Sequence, residues 1–149
     1  MTMTKHKYLT TVVLALMTLT ACDIETSDNG DLDGFWLLST VDTIGTGGRA
    51  MVEESVLTWS FQGRILELRQ PGKGIAKNII CQFSHEGDSL HITHPYVLDR
   101  SKQDVMIDQP ELLRPYGIGH TDEHYRVLGL DGGSMTLRNE EIVLKFRKF

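Results

Sequence analysis

"GFWLLSTVDT", residues 34–43, alternates: Phe35, Leu37, Ser39 and Val41 fall on one face, Trp36, Leu38, Thr40 and Asp42 on the other. Successive side chains of an extended chain point to opposite sides, so this reads as a strand. The same period of two recurs down the sequence. "ESVLTWSF" sets Leu57, Trp59 and Phe61 together, and "ILELRQ" sets Leu66 and Leu68 in phase. "IAKNIICQFSH" aligns Ile79, Cys81 and Phe83, and "SLHITH" aligns Leu90 and Ile92. "EHYRVLGL", "MTLRN" and "IVLKFRKF" follow, the last with Ile142, Leu144 and Phe146 inward and Val143, Lys145 and Arg147 outward. The eight strand candidates are mostly joined by loops of two to five residues, including "QGR", "PGKG", "EGD" and "DGGS". Short loops make neighbours antiparallel. A meander with one apolar face must hide that face and its edges, and closing on itself does both. The expected fold is all-β: an eight-stranded antiparallel up-and-down barrel over residues 34–149.

One segment interrupts the meander. Residues 95–122, "PYVLDRSKQDVMIDQPELLRPYGIGHTD", are too long for a hairpin turn. Within them "DQPELLR" predicts one short helix, capped by Asp108, with Pro110 in its first turn and Glu111 at capping-box spacing. Pro115 and Gly117 end it. Leu112, Leu113, Tyr116 and Ile118 call for burial, so the insert should pack on the barrel or plug one end.

The amino terminus has a different character. Lys5, His6 and Lys7 precede the apolar, threonine-rich run from Tyr8 to Ala21. A helix of that length reaches about 21 Å, short of the ~30 Å hydrocarbon core. Residues 1–21 therefore read as a signal peptide. Its exit, Leu19-Thr20-Ala21-Cys22, resembles the bacterial lipobox. That resemblance implies cleavage before Cys22, a thioether-linked diacylglycerol on its thiol, and acylation of the new amino group, with palmitate the expected chain. Several acyl chains anchor stably where one holds only marginally. Removing Lys5 and Lys7 leaves 13 basic against 20 acidic residues. With Cys22 lipidated, Cys81 is left alone in an apolar strand and reads as a small core residue.

Residues 22–33 read as the lipidated cysteine and a flexible acidic tether, with Asp23, Glu25, Asp28, Asp31 and Asp33 and the turn pair Asn29-Gly30. Eleven such residues span roughly 18 Å on average. Acidic residues directly after a lipidated cysteine resemble the surface-export signals of Bacteroidetes lipoproteins, and a plain solvated spacer explains them equally. The 149 residues allow one modest domain, and 40% hydrophobic with 23% charged is globular composition. A net charge of −5 disfavours nucleic acid as a partner.

Gly34-Phe35-Trp36 at the start of the first strand resembles the Gly-x-Trp signature of lipocalins. In that family the tryptophan sits under the closed barrel end and meets an arginine of the last strand, which makes Arg147 the implied partner. With the lipobox, the acidic spacer, "LDGFW", "LRPYGI" and "MTLRNEEIVLKFRKF", the chain resembles the lipocalin-like lipoproteins of Bacteroidetes over about residues 22–149. It departs from secreted lipocalins in its long insert, in lacking a carboxy-terminal helix, and in having no disulfide.

No motif names a reaction. His91 and His94, three apart on a strand, point to opposite faces and cannot share an ion without a bulge; His85 lies across the hairpin and could join His91, and His120 and His124 flank the insert. Zinc needs three or four converging ligands, so no metal site is expected and the histidines read as exposed or turn residues. The glycine-rich stretches at 45–48, 72–74 and 131–133 read as turns. Asp122-Glu123 and Glu140-Glu141 read as solvated charge, and there is no nucleophile elbow or Ser-His-Asp order. No catalytic residue and no cofactor are expected. The aromatics Trp59, Phe61, Tyr96, Tyr116 and Tyr125 could line a pocket. The expected function is that of a lipid-anchored, non-enzymatic binding protein of the cell envelope, on the outer membrane, holding a small apolar or amphipathic ligand. The alternative is a structural or interaction module with a side-chain-filled barrel that serves an envelope protein partner. An eight-stranded barrel admits either.

Overall fold

The computed structural model describes residues 27–52, 57–70, 78–99 and 101–149. The signal peptide, Cys22 and the tether up to residue 26 lie outside them, as does the expected "PGKG" turn. The described strands are β1 (Gly34–Thr43), β2 (Arg49–Met51), β3 (Thr58–Gln62), β4 (Ile65–Arg69), β5 (Ile79–Glu86), β6 (Ser89–Val97), β7 (Val105–Met106), β8 (Glu123–Leu130), β9 (Ser134–Arg138) and β10 (Ile142–Lys148).

Eight of them close into an antiparallel barrel in the order β1-β3-β4-β5-β6-β8-β9-β10, with β10 returning to β1. The seam runs the length of both strands, from Trp36 opposite Lys148 to Thr43 opposite Ile142. The two short strands are extensions of this wall. β2 continues the neighbour of β1 beyond β3, pairing Thr40–Asp42, and β7 pairs the far end of β6. Each of the eight sequence candidates supplies one barrel strand. The turns at Gly63, at Gly87 and at 131–133 share one end with the start of β1, here the tether end. The loop 44–48 and the turn 139–141 share the other, the insert end.

The inward phases follow the alternation in β3, β4, β5 and β10: Trp59 and Phe61, Leu66 and Leu68, Ile79, Cys81 and Phe83, and Leu144 and Phe146 are all buried. In β1 the alternation changes phase. Ser39 is an extra residue in the seam, and its hydroxyl donates to the Lys145 carbonyl at 2.8 Å. Trp36 and Leu38 point inward before this bulge and Val41 packs on the core after it, so the expected single face running to Asp42 is corrected. Asp42 faces out and pairs with Arg49 at 2.8 Å. Bulges at Leu128 in β8 and around His94 in β6 switch phase in the same way.

The expected helix is corrected too. "PELLRPY" forms two 3₁₀ turns, Pro110–Leu112 and Arg114–Tyr116. Pro115 has no N–H to bond back to Glu111, so an α-helix starting at Pro110 cannot pass its first turn. The position before the first turn is Gln109, not Asp108, and no side chain caps it. Leu113, Tyr116 and Ile118 join the barrel core while Leu112 is exposed. The insert thus plugs the barrel. Its tightest contact is at Gly117, which has φ +84° and where a Cβ would lie 2.6 Å from Leu144 Cδ2. Gly117→Ala should therefore cost roughly 2–4 kcal/mol from strained backbone and the clash. Gly132→Ala, with open space around it, should stay within about 0.5 kcal/mol. Urea denaturation of both variants checks the difference.

Candidate functional site

The tether end is shut. A 3₁₀ turn, Gly30–Leu32, folds under the barrel with Leu32 fully buried. Trp36 Nε1–H donates to the Leu32 carbonyl at 2.8 Å. Lys148 crosses the Trp36 ring with Nζ 4.9 Å from its centre and donates to the Asp31 carbonyl at 2.9 Å. Gly34 makes room for this: at φ +115°, a Cβ there would meet Lys148 Cε at 3.0 Å. The cation over Trp36 is therefore Lys148 and not Arg147. Leu144 and Phe146 fix the inward phase of β10, which puts residue 148 inside and Arg147 on the exposed outer face. Asn29 adds a bond from Nδ2 to the Gly63 carbonyl at 2.8 Å, and Ser27 and Asn29 both bond Asp33.

The interior is occupied by the aromatics expected to line a pocket. Trp59 on β3 and Tyr125 on β8 stand four strands apart in a ring of eight, on opposite walls, yet their ring centres are 6.1 Å apart. Trp59 also meets Phe146 at 4.9 Å and Phe61 at 6.1 Å, and Phe61 meets Phe83 at 4.9 Å. Trp59 is 0% exposed, so no water-sized void touches it. Tyr116 belongs to the plug. Tyr96 does not face inward at all, because the bulge around His94 turns it to the outer wall, opposite Ile80 and Met106. Cys81 is a buried free thiol whose pKa burial pushes up to about 12, which makes it a poor nucleophile.

Two acidic and phenolic groups of β8 hold the plug in place. Tyr125 Oη donates to the Gly117 carbonyl at 2.6 Å, and burial, then the nearby Glu123 carboxylate, pushes its pKa up. Glu123, which reads as solvated charge in the sequence, is buried. One carboxylate oxygen accepts from the Gly119 and His120 backbone N–H groups at 3.0 and 3.1 Å, and the other accepts from Asn139 Nδ2 at 3.2 Å.

Outside the barrel, β6 and β8 bring His91 and His124 face to face. Their rings stack 3.8 Å apart at 10°. Asp122 Oδ1 lies 2.7 Å from His91 Nε2 and 3.4 Å from His124 Nε2. His94 sits at the β6 bulge, its Nδ1 2.9 Å from Thr93 Oγ1, and is not among the three ligand-spaced groups; His85 lies in the inward phase away from this pair. The His91–His124 pairing was not legible, because the long insert hides the β6–β8 register. Two surface clefts flank it. One, about 600 Å³, lies over β4–β6 and includes Arg64, Gln82, Ser84 and His91. The other, about 550 Å³, lies over β8–β9 and includes Asp122, His124, Arg126 and Arg138. Neither is lined by an interior aromatic other than Phe83.

A closed eight-stranded antiparallel barrel with Gly-x-Trp opening its first strand, a tryptophan-sealed end and a cation from the last strand defines a lipocalin-type barrel. The chain belongs to the lipocalin-like domain family, whose model matches residues 17–149. Among solved structures it is similar to a lipocalin-like protein from Bacteroides uniformis, with 22% identity, TM-score 0.62, and 80% of this chain and 100% of that one covered. It is also similar to an uncharacterized protein from Bacteroides eggerthii, with 16% identity, TM-score 0.57, and coverage of 78% and 98%. No curated protein matches the chain. Among the described residues no helix is long and apolar enough to cross a membrane.

The assignment of the cation is open to test. Lys148→Met keeps the apolar stem and loses the hydrogen bond and the charge over Trp36, so it should cost about 1 kcal/mol. Arg147→Met on the outer wall should stay within about 0.5 kcal/mol. Chemical denaturation of both variants checks the order.

Proposed function

We propose that the chain is a lipid-anchored, non-catalytic module of the cell envelope whose outer wall and rim, rather than a lumen, carry its function. The observation that carries this reading is the meeting of Trp59 and Tyr125 from opposite walls. Ligand pockets of about 300–1,000 Å³ need room that these rings fill. The clefts of that size lie outside, on polar and histidine-bearing surface. Exposed apolar side chains are also outside, among them Phe35, Val105, Met106 and Leu128. This is the surface an envelope protein partner would meet. The outer membrane is the proposed location. Support for the anchor comes from the lipobox at residues 19–22 and from the family match, which begins at residue 17, upstream of Cys22.

A second reading has one atom in its favour. Trp59 Nε1–H is buried with no hydrogen-bond partner among the described residues. A buried donor without a partner is costly, and a polar ligand atom would relieve it. Such a ligand, apolar or amphipathic, would have to displace the plug.

Two measurements separate these statements. Intact-mass analysis of membrane-extracted protein should show a mature chain starting at Cys22 and carrying acyl chains, while Cys22→Ala should leave the membrane fraction. An unmodified Cys22 in a soluble product contradicts the anchor. Titration with fatty acids, bile-salt-like molecules and haem-like molecules should leave tryptophan emission and the melting temperature unchanged. A saturable change in both would transfer the function to the interior.

A further inference from the structure

We propose that His91, His124 and Asp122 form a binding site for a divalent transition-metal ion of the zinc class on the outer wall of the barrel, at the foot of the insert. One ring nitrogen of each imidazole and one Asp122 carboxylate oxygen all lie within 4.8 Å of one another. Tetrahedral zinc with bonds of about 2.0–2.2 Å places its donors about 3.3 Å apart. The His124–Asp122 separation of 3.4 Å meets that spacing, and the His91–Asp122 separation of 2.7 Å needs a small outward movement of the carboxylate. Asp122 is free to make it, being 68% exposed.

The framework is rigid where it matters. His91 and His124 are a cross-strand pair on two hydrogen-bonded barrel strands, and both Nε2 atoms lie near Asp122 Oδ1. An imidazole binds an ion in its ring plane, so the stacked rings must swing out of parallel about their side-chain torsions for both Nε2 atoms to reach one ion. Asp122 is held at the end of the insert by its neighbour Glu123, which bonds Gly119, His120 and Asn139. Among the described residues no lysine or arginine pairs with Asp122; Arg126, the nearest in sequence on the same face, is engaged with Asp88 at 2.9 Å.

The donor set selects the ion. Two imidazoles and one carboxylate suit Zn²⁺, Ni²⁺ or Cu²⁺, whereas Mg²⁺ and Ca²⁺ take oxygen ligands. Three protein ligands leave a fourth position for water or for a side chain of a partner. Asp122 and His124 also line the cleft of about 550 Å³ over β8–β9, so that position is reachable from outside. Bound metal would tie the end of the insert to both β6 and β8.

Calorimetric titration of the full chain with Zn²⁺, with Mg²⁺ as the control ion, tests this. One equivalent of Zn²⁺ should bind saturably, Mg²⁺ should not, and Zn²⁺ should raise the melting temperature. His91→Ala or His124→Ala should weaken binding by more than about 100-fold, beyond the roughly 10–100-fold range that loss of an outer partner costs, and Asp122→Asn on the order of 10-fold. All three side chains are at least partly exposed, so far-UV circular dichroism should be unchanged. In the nuclear magnetic resonance spectrum, the ring protons of His91 and His124 should shift together on adding one equivalent. No saturable uptake of Zn²⁺, or equal uptake by the unaltered chain and His91→Ala, overturns the proposal.

Discussion

The structure depends on the seam between β1 and β10. Without it the sheet would have two edges of unpaired amides and carbonyls, and its apolar face would curl without closing. With it, each of the eight barrel strands has two neighbours and the inward set must share one narrow interior. The seam also explains local details that look unrelated. Ser39 is an extra residue in it, and the resulting twist lets a ten-residue strand bend round a small barrel. Gly34 lies at its tether end, where the chain turns under the barrel and Lys148 crosses over. Trp36 sits just inside and is sealed by Leu32 below and Lys148 beside it.

The closed wall decides what the inside can do. Eight strands leave a lumen that large side chains can fill, and here they come from facing walls: Trp59 and Phe61 from β3, Tyr125 from β8 opposite, and Phe146 from β10 midway between them. The insert completes the filling with Leu113, Tyr116 and Ile118. Its two polar fasteners, Tyr125 and Glu123, sit on β8 directly below it, so plug and wall are one packed unit. A filled barrel keeps the lipocalin-like frame and moves the place of interaction to its outer wall, where the clefts, the exposed apolar side chains and the histidine pair are found.

The strands were legible because most of them bury one face, and burial on one face writes a period of two into the sequence. β3, β4, β5 and β10 keep that period unbroken. It fails where a bulge adds a residue: after Ser39 the inward positions shift from Leu38 to Val41, and around His94 the same shift turns Tyr96 outward. The resemblance to lipocalins pointed to a cation beside Trp36 but put it on Arg147; the phase of Leu144 and Phe146 already placed residue 148 inside. The short helix was suggested by capping residues, and Pro115 limits it to single 3₁₀ turns. The histidine pair was hidden for a different reason. A tight turn fixes the register of its two strands, but β6 and β8 are joined by a long insert, so nothing local sets His91 against His124. Glu123 was misread for lack of tertiary context: its partners are backbone amides of a loop whose path the sequence does not show.

Deuterium exchange of the Trp59 indole N–H, followed by nuclear magnetic resonance, tests the sealed and filled interior most directly. That proton has no hydrogen-bond partner among the described residues to slow its exchange, so exclusion of water is what protects it. The account predicts exchange as slow as that of the most protected seam amides of β1 and β10, through global unfolding alone. Exchange within minutes in the folded protein would mean that water reaches the middle of the barrel, and would contradict it.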